Sequence, residues 1–337
     1  MNNKWDNCIT TLKLLACLQV FAGHLIPSFG IRISESTSFI ISIFEGVPIF
    51  LALSGFLIWG SIGRSTSFAD FGKKRVYRLY PELWGGVLLN AVIMVVLYHE
   101  EIKWIPFLLF QLTQGTVVQF WTPSSLRGYG TGTPNGPLWT ISVIVQCYVV
   151  LWFLYKVLHQ KSVKRWAAII LFFITFNVFR AEVLTSIKPA MAAKVVWYSF
   201  PTHLWLFLVG ALLREYIDEW KCILAKMWWV FFLAAICVNY FKFDFGSYGV
   251  LKGTFLALSA VGFAYAYPQL SIANDYSYGI YLYHMIVINL LVEVGITEGC
   301  LPVVLSFTGT IILSVVSYHT LGQLKQHTGK PNKELST

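Results

Sequence analysis

About ten stretches of this chain are long and apolar enough, or nearly so, to cross a bilayer. That feature decides most of what the chain can become. A hydrocarbon core of ~30 Å takes about 20 residues of α-helix. The segments 9–29, 38–60, 83–99, 138–158, 165–180, 195–214, 227–241, 248–268, 276–295 and 301–321 meet or approach that measure, with the fifth and seventh the shortest. Inside lipid every backbone N–H and C=O must be satisfied within the segment, so such runs are predicted as helices. The stretch 104–112 (WIPFLLFQL) is too short to span and is predicted to lie at the interface or to re-enter. The expected fold class is all-α, a polytopic membrane protein of about ten transmembrane helices. No internal repeat, low-complexity tract or long linker interrupts the chain, so 1–337 reads as a single integral-membrane domain.

Composition closes the other classes. Charged residues are 12% of the chain, against ~25% in soluble domains, and a water-soluble protein of this length could not cover itself with so few. At 56% hydrophobic and 17% aromatic the chain is far from the composition of disordered segments. Its six Cys form no CxxC pair, and Cys17, Cys147 and Cys237 sit within apolar runs, which argues against a disulfide scaffold. The net charge of +9 is not gathered as a basic stripe on a soluble module, so nucleic acid is not an expected partner. It fits topology instead. With the N-terminus in the cytoplasm, 17 of the 25 Lys and Arg fall on the cytoplasmic side, among them Lys4, Arg64, Arg214, Lys221, Lys330 and Lys333. The other eight, including Lys188 and Lys252, fall outside. That bias predicts both termini inside and an even number of spans. Leu14-Leu15-Ala16-Cys17 is similar to a lipoprotein processing box, but the apolar run continues past Cys17; it is read as helix interior and no cleavable signal is expected.

Ionisable residues within spans are costly and mark candidate functional sites. The first helix carries two, Lys13 and His24. Eleven residues at ~100° each make three turns plus ~20°, so both side chains fall on one face, ~16 Å apart along the axis. Lys13 lies near the cytoplasmic end and His24 in the outer half. A histidine so placed serves either catalysis or inter-helix packing. Glu45, in the second span, lies at nearly the depth of His24. Its carboxylate either orients the imidazole or sits at a wet interface against Arg32 or solvent.

Other polar groups gather in short blocks. After the second span comes a loop reading Lys73-Lys74-Arg75-Val76-Tyr77-Arg78-Leu79-Tyr80-Pro81. On a helical turn Arg75 and Arg78 project together, which suits either a phosphate clamp or a positive-inside anchor. Asn135-Gly136-Pro137 is a turn leading into a helix on which Trp139, Ser142 and Gln146 share a face. These three either bind substrate or tie helices together. Tyr281 and His284 stand in the block Ser277–His284, whose alternative role is an interfacial Tyr belt. No P-loop, zincin, Rossmann turn or nucleophile elbow is present, and His203, His284 and His319 lack ligand spacing, so no metal site is expected.

In this order, nearly end to end, these blocks resemble the acyltransferase 3 family, membrane-bound enzymes that modify extracytoplasmic glycans. Lys13 and His24 are similar to its signature of a basic residue, ten positions, then histidine. Gly46–Ile58 (GVPIFLALSGFLI) resembles its GVxxFFxLSGFLI block, Arg75-Val76-Tyr77-Arg78 its RxxR, Asn135–Trp139 its NGPLW, and Ser277–His284 its SYGIYLYH. Two departures stand out. Ile144 and Val145 occupy positions where many members carry acids, and Gly322 stands near the end where many have Glu. The resemblance is to the stand-alone form, without the soluble esterase-like domain fused to some relatives and often found as O-antigen or capsule O-acetyltransferases.

The resemblance implies a multi-pass protein of the bacterial inner membrane that transfers an acyl group, most often acetyl, from cytoplasmic acetyl-CoA to a sugar hydroxyl of a surface polysaccharide or lipid-linked oligosaccharide. It implies no permanently bound cofactor. His24 would be general base or transient acyl carrier with Glu45 beside it. Lys13, Arg75 and Arg78 would meet the donor, and Trp139, Ser142, Gln146, Tyr281 and His284 the acceptor. The rival reading is a transporter or flippase, because intramembrane Lys, His and Glu also serve proton-coupled carriers; within the enzyme reading, the alternative acceptors are peptidoglycan, a lipid or a small metabolite.

Overall fold

The computed structural model describes residues 6–180, 185–187, 190–246 and 249–328. Lys4, Lys188, Lys330 and Lys333, used in the charge comparison, lie outside them. The described residues are helical, with no strand. The α-helices are α1 (Ile9–Ser28), α2 (Glu35–Ile43), α3 (Gly46–Gly63), α4 (Phe68–Leu97), α5 (Trp104–Gln114), α6 (Trp139–Leu158), α7 (Val163–Val178), α8 (Ala190–Trp197), α9 (Leu204–Glu215), α10 (Ile217–Phe241), α11 (Val250–Ala266), α12 (Ser277–Glu293) and α13 (Leu301–His319). Among the described residues six helical stretches are long and apolar enough to cross a membrane: α1, α2 with α3, α4, α6 with the turn before it, α10, and α13 with the turn after it. The protein is a multi-pass membrane protein.

Each apolar segment of the sequence contains a helix, with boundaries moved by local chemistry. The loop expected at 73–81 is instead part of α4, which starts at Phe68 because the Ser67 side chain accepts the Asp70 amide, and then runs through Pro81. A proline lacks the N–H for its own helical bond, yet a membrane helix absorbs that loss. The second span breaks between α2 and α3, where the Gly46 amide leaves the ladder and donates to Gln19 Oε1 at 2.8 Å. The span expected at 195–214 is broken: α8 ends at Trp197, the turn Phe200-Pro201-Thr202 intervenes, and the helix resumes at Leu204.

The chain forms two compact units, and the boundary falls inside α1, between Gly23 and His24. The first comprises residues 1–23, 32–64 and 139–275. Its centre is α9, a 12-residue helix buried almost all round from Leu204 to Leu213, as befits a helix apolar on every side. α9 packs on α3, α7 and α11, while α10 pairs with α11. The α3–α9 crossing is close because glycines face it from both sides: a Cβ on Gly55 would overlap the Phe207 carbonyl, and one on Gly210 the Ala52 carbonyl. Small residues at such crossings let backbones approach when lipid supplies no hydrophobic drive.

The last residue of α9 ties this unit at one end. Glu215 accepts from the Trp59 indole N–H and the Gln160 amide, both at 2.6 Å, and lies 3.1 Å from His159 Nδ1. Burial pushes its carboxyl upward, but these hydrogen bonds outweigh burial and hold its pKa below the ordinary carboxylate value. The stabilisation is therefore complete at neutral pH and is lost as pH falls through the acid range. Glu215→Ala leaves the buried Trp59 N–H without an acceptor, and a loss of about 2 kcal/mol is expected, read as a lower unfolding temperature in detergent.

The second unit comprises residues 24–31, 65–138 and 276–337. α12 is its buried helix, packed against α4 and α13. Trp84, Leu88, Val92 and Val96 form an exposed stripe at four-residue spacing on α4, the pattern of a lipid-facing side. Phe107 and Phe110 of α5 join a cluster with Met94, Ile102, Leu126 and Tyr129. On its other side Ile105, Leu108, Leu109 and Leu112 are exposed, the amphipathic arrangement of a helix lying at an interface.

Candidate functional site

The second unit brings His24, Arg75, Arg78, Tyr281 and His284 into one compact body. The loop before α6 is fastened to α12 in register. Asn289 Oδ1 accepts from the Thr131 amide at 2.8 Å and hydroxyl at 2.9 Å, while its Nδ2 donates to the carbonyls of Thr133 and Pro134. Glu293 accepts from the Gly130 amide. Asn135 Nδ2 donates to the Leu282 carbonyl at 3.1 Å, and the Tyr281 hydroxyl donates to the Pro137 carbonyl at 2.7 Å. The Asn135–Pro137 turn and the Ser277–His284 block, far apart in sequence, are thus two halves of one assembly. Tyr281 serves there as an anchor for the turn.

That assembly fixes an imidazole pair. His284 is fully buried, and its Nδ1 lies 3.1 Å from the Ile280 carbonyl. A carbonyl only accepts, so Nδ1 carries the hydrogen and Nε2 is the basic nitrogen of the neutral ring. The half-buried His24 ring stands edge-on to it, with centroids 5.3 Å apart and planes at 84°. The Tyr281 ring closes another side of His284 at 5.9 Å. Below, Tyr283 donates to Ser317 at 3.0 Å, which in turn bonds the buried Glu82 at 3.3 Å. One face of α4 carries the half-buried Arg75 and Arg78, with the Arg75 guanidinium 5.6 Å from the Phe71 ring centroid.

The remaining expected residues lie in the first unit. Buried Lys13 forms an ion pair with Asp275. Glu45 pairs with Lys252, which also donates to Asn239 at 3.1 Å. Gln146 Nε2 donates to Ser142 at 3.3 Å and to the Tyr198 carbonyl at 3.1 Å, and its Oε1 accepts from the Phe200 amide at 3.0 Å. Trp139 packs on Tyr198 and His203. These contacts tie α6 to the segment 198–203. Asp275 and Lys252 escaped the sequence reading. Lys252, counted above only toward the charge bias, lies near the start of the apolar run 248–268 and is buried, the kind of residue that marks a buried partner, whereas Asp275 sits in the loop before α12 and carries no such signal. Among the described residues no three His, Cys, Asp or Glu side chains gather as a metal would require.

A multi-pass helical membrane protein with a paired imidazole inside one unit is the class these features define. The model of the family described as an acyltransferase domain matches residues 6–319, and the chain belongs to that family, acyltransferase 3. It is 28% identical over 344 positions to nodulation protein 10 of Rhizobium leguminosarum bv. viciae, a match covering 94% of this chain and 92% of the relative. It is 26% identical over 306 positions to the O-acetyl transferase of Shigella phage Sf6, covering 85% and 87%. A third relative, the putative peptidoglycan O-acetyltransferase YrhL of Bacillus subtilis, is 26% identical across 82% of this chain and 49% of its own length. No solved structure matches the chain. The protein is a membrane acyltransferase, and this membership decides between the enzyme and the transporter readings.

Proposed function

We propose that this acyltransferase moves an acetyl group from cytoplasmic acetyl-CoA to a hydroxyl of a surface-polysaccharide sugar such as one of the O-antigen, across the bacterial inner membrane. The observation that carries the reading is the His24–His284 pair, one imidazole standing edge-on to another whose tautomer is fixed by backbone. Neutral His24 takes the proton of the acceptor hydroxyl, and the alkoxide oxygen attacks the thioester carbonyl. The C–S bond breaks, and the CoA thiolate takes the proton back from His24, giving an O-acetyl ester and CoA thiol. His284 positions the His24 ring. The phage relative's name supports O-acetylation and the Bacillus relative's name makes peptidoglycan the second acceptor class.

The test uses purified protein in nanodiscs with acetyl-CoA labelled in the acetyl carbon, offered with lipid-linked O-antigen, with peptidoglycan fragments, or with no acceptor. Label in the lipid-linked glycan supports the reading, and label in peptidoglycan alone moves it to the second acceptor. No transfer to either, with folded protein, overturns both.

Arg75 and Arg78 are assigned to the CoA phosphates, because guanidiniums three apart on a helix present two forks to one side. Replacing both with Gln is expected to raise KM for acetyl-CoA about 10- to 100-fold while changing kcat far less, measured by thiol release. An equal fall in kcat with KM unchanged would remove them from donor binding.

A further inference from the structure

Within the first unit, the end of α3, the α9–α10 junction, Tyr265 of α11 and the residues leading into α1 enclose a cavity of about 520 Å³. Two arginines converge in its wall. A Cβ on Gly60 would lie 2.9 Å from Arg214 Nε and 3.3 Å from Arg64 Nη1, so both guanidiniums close over the bare backbone of one glycine. Among the described residues neither is within ion-pair distance of a carboxylate, although both line the same space. Arg214 instead leans on Phe56, with Cζ 5.7 Å from the ring centroid. The third cation of the lining, Lys221, is 3.8 Å from the exposed Asp218.

Like charges brought together without a counter-charge repel, and the repulsion grows as water is excluded. Two guanidinium forks on one wall are matched by the several oxygens of a phosphate, which accept from both at once. The volume exceeds what a bare phosphate needs and falls in the range of sites for nucleotide-sized ligands. Asp6 and Asp218 on the same lining leave a modest cationic excess, suited to one phosphate group more than to a highly charged polymer.

We propose that this cavity recognises a phosphate-bearing ligand, clasped by Arg64 and Arg214. The ligand is either the nucleotide end of a soluble coenzyme or the headgroup of an anionic lipid, since all these cations belong to the cytoplasmic set of the charge bias. The site is separate in residues from the Arg75–Arg78 pair and is independent of the role given to His24. Binding rather than turnover is measured, so either proposal can fail alone.

The full-length protein in phosphatidylcholine nanodiscs is titrated with desulfo-CoA, and separately its unfolding temperature is followed as phosphatidylglycerol replaces phosphatidylcholine. Arg64→Gln and Arg214→Gln are expected to weaken one of these responses about tenfold or more, and Arg214→Lys nearly as much, because a lysine keeps the charge but loses the fork. Arg165→Gln, an exposed arginine outside the cavity, is expected to change neither. Loss of the desulfo-CoA response assigns a coenzyme, and loss of the phosphatidylglycerol response a lipid headgroup. Arg64 is exposed at a helix end, so its variant reports on binding without disturbing the core. Responses within twofold of wild type in both Gln variants, no response in wild type, or an equal loss in Arg165→Gln each overturn the proposal.

Discussion

Cells expressing His24→Ala are expected to yield surface polysaccharide without the O-acetyl proton signal that the wild type adds, at equal protein level in the membrane. The expectation follows from what the ring is asked to do. A general base contributes about 10²–10⁴ in rate, so kcat/KM should fall by about 10³ or more. His284→Ala is expected to cost less, about 10- to 100-fold. It leaves the reacting nitrogen in place and removes the ring whose centroid stands 5.3 Å from that of His24. The two substitutions also separate chemistry from packing. If His24 were a packing residue, His24→Gln would keep most activity, because an amide of similar reach can hydrogen-bond but cannot take a proton at neutral pH. Retained acetylation in His24→Ala would sink the assignment outright. A burst of enzyme-bound acetyl in the wild type, trapped before acceptor is added, would make the imidazole an acyl carrier instead of a base.

The long helices were legible because each lies in an apolar run of about spanning length, a signal that survives without any knowledge of neighbours. The His24–His284 pair was half legible. His24 stood out as an ionisable group in a span and His284 only as a member of the Ser277–His284 block, while Lys13 and His24 share one helix. Their partners did not show. Which carboxylate meets Lys13 depends on Asp275 lying in the loop before α12, and nothing in a linear pattern reports that 262-residue closure. Glu45 illustrates the same limit from the other side. Depth along the membrane made His24 a feasible partner, while the cation that its carboxylate meets, Lys252, lies 207 residues further along the chain, out of reach of a linear pattern. The motif blocks carried information of a different kind. In sequence Asn135–Pro137 reads as a turn and Ser277–His284 as an acceptor-meeting block or a Tyr belt, and the structure uses polar atoms of both to lock a loop to a helix.

The Gly55–Gly210 crossing yields the second large effect. Gly210→Val is expected to prevent α3 and α9 from packing, so that the variant either fails to accumulate or elutes as aggregate. A Cβ at Gly210 would overlap the carbonyl of Ala52 and come within 2.9 Å of the Phe56 amide nitrogen. These are backbone atoms in the middle of a helix and cannot swing aside as the end of a side chain can. Relief requires moving one helix bodily, and α9 is buried on nearly every side, so a shift on one face opens voids or clashes on the others. The cost belongs with the rare substitutions above about 4 kcal/mol. Gly210→Ala meets the same overlap with less bulk and should be severe but measurable, as a fall in unfolding temperature in detergent. Gly23→Ala is the control, since nothing lies within 4 Å of its added Cβ and alanine favours the helix; its unfolding temperature should match or exceed the wild type. Equal stability of Gly210→Val and wild type would mean that α3 and α9 do not cross at these two glycines. The acyltransferase would then owe the conspicuous Ser54-Gly55 of its second span to something other than the close approach of two backbones.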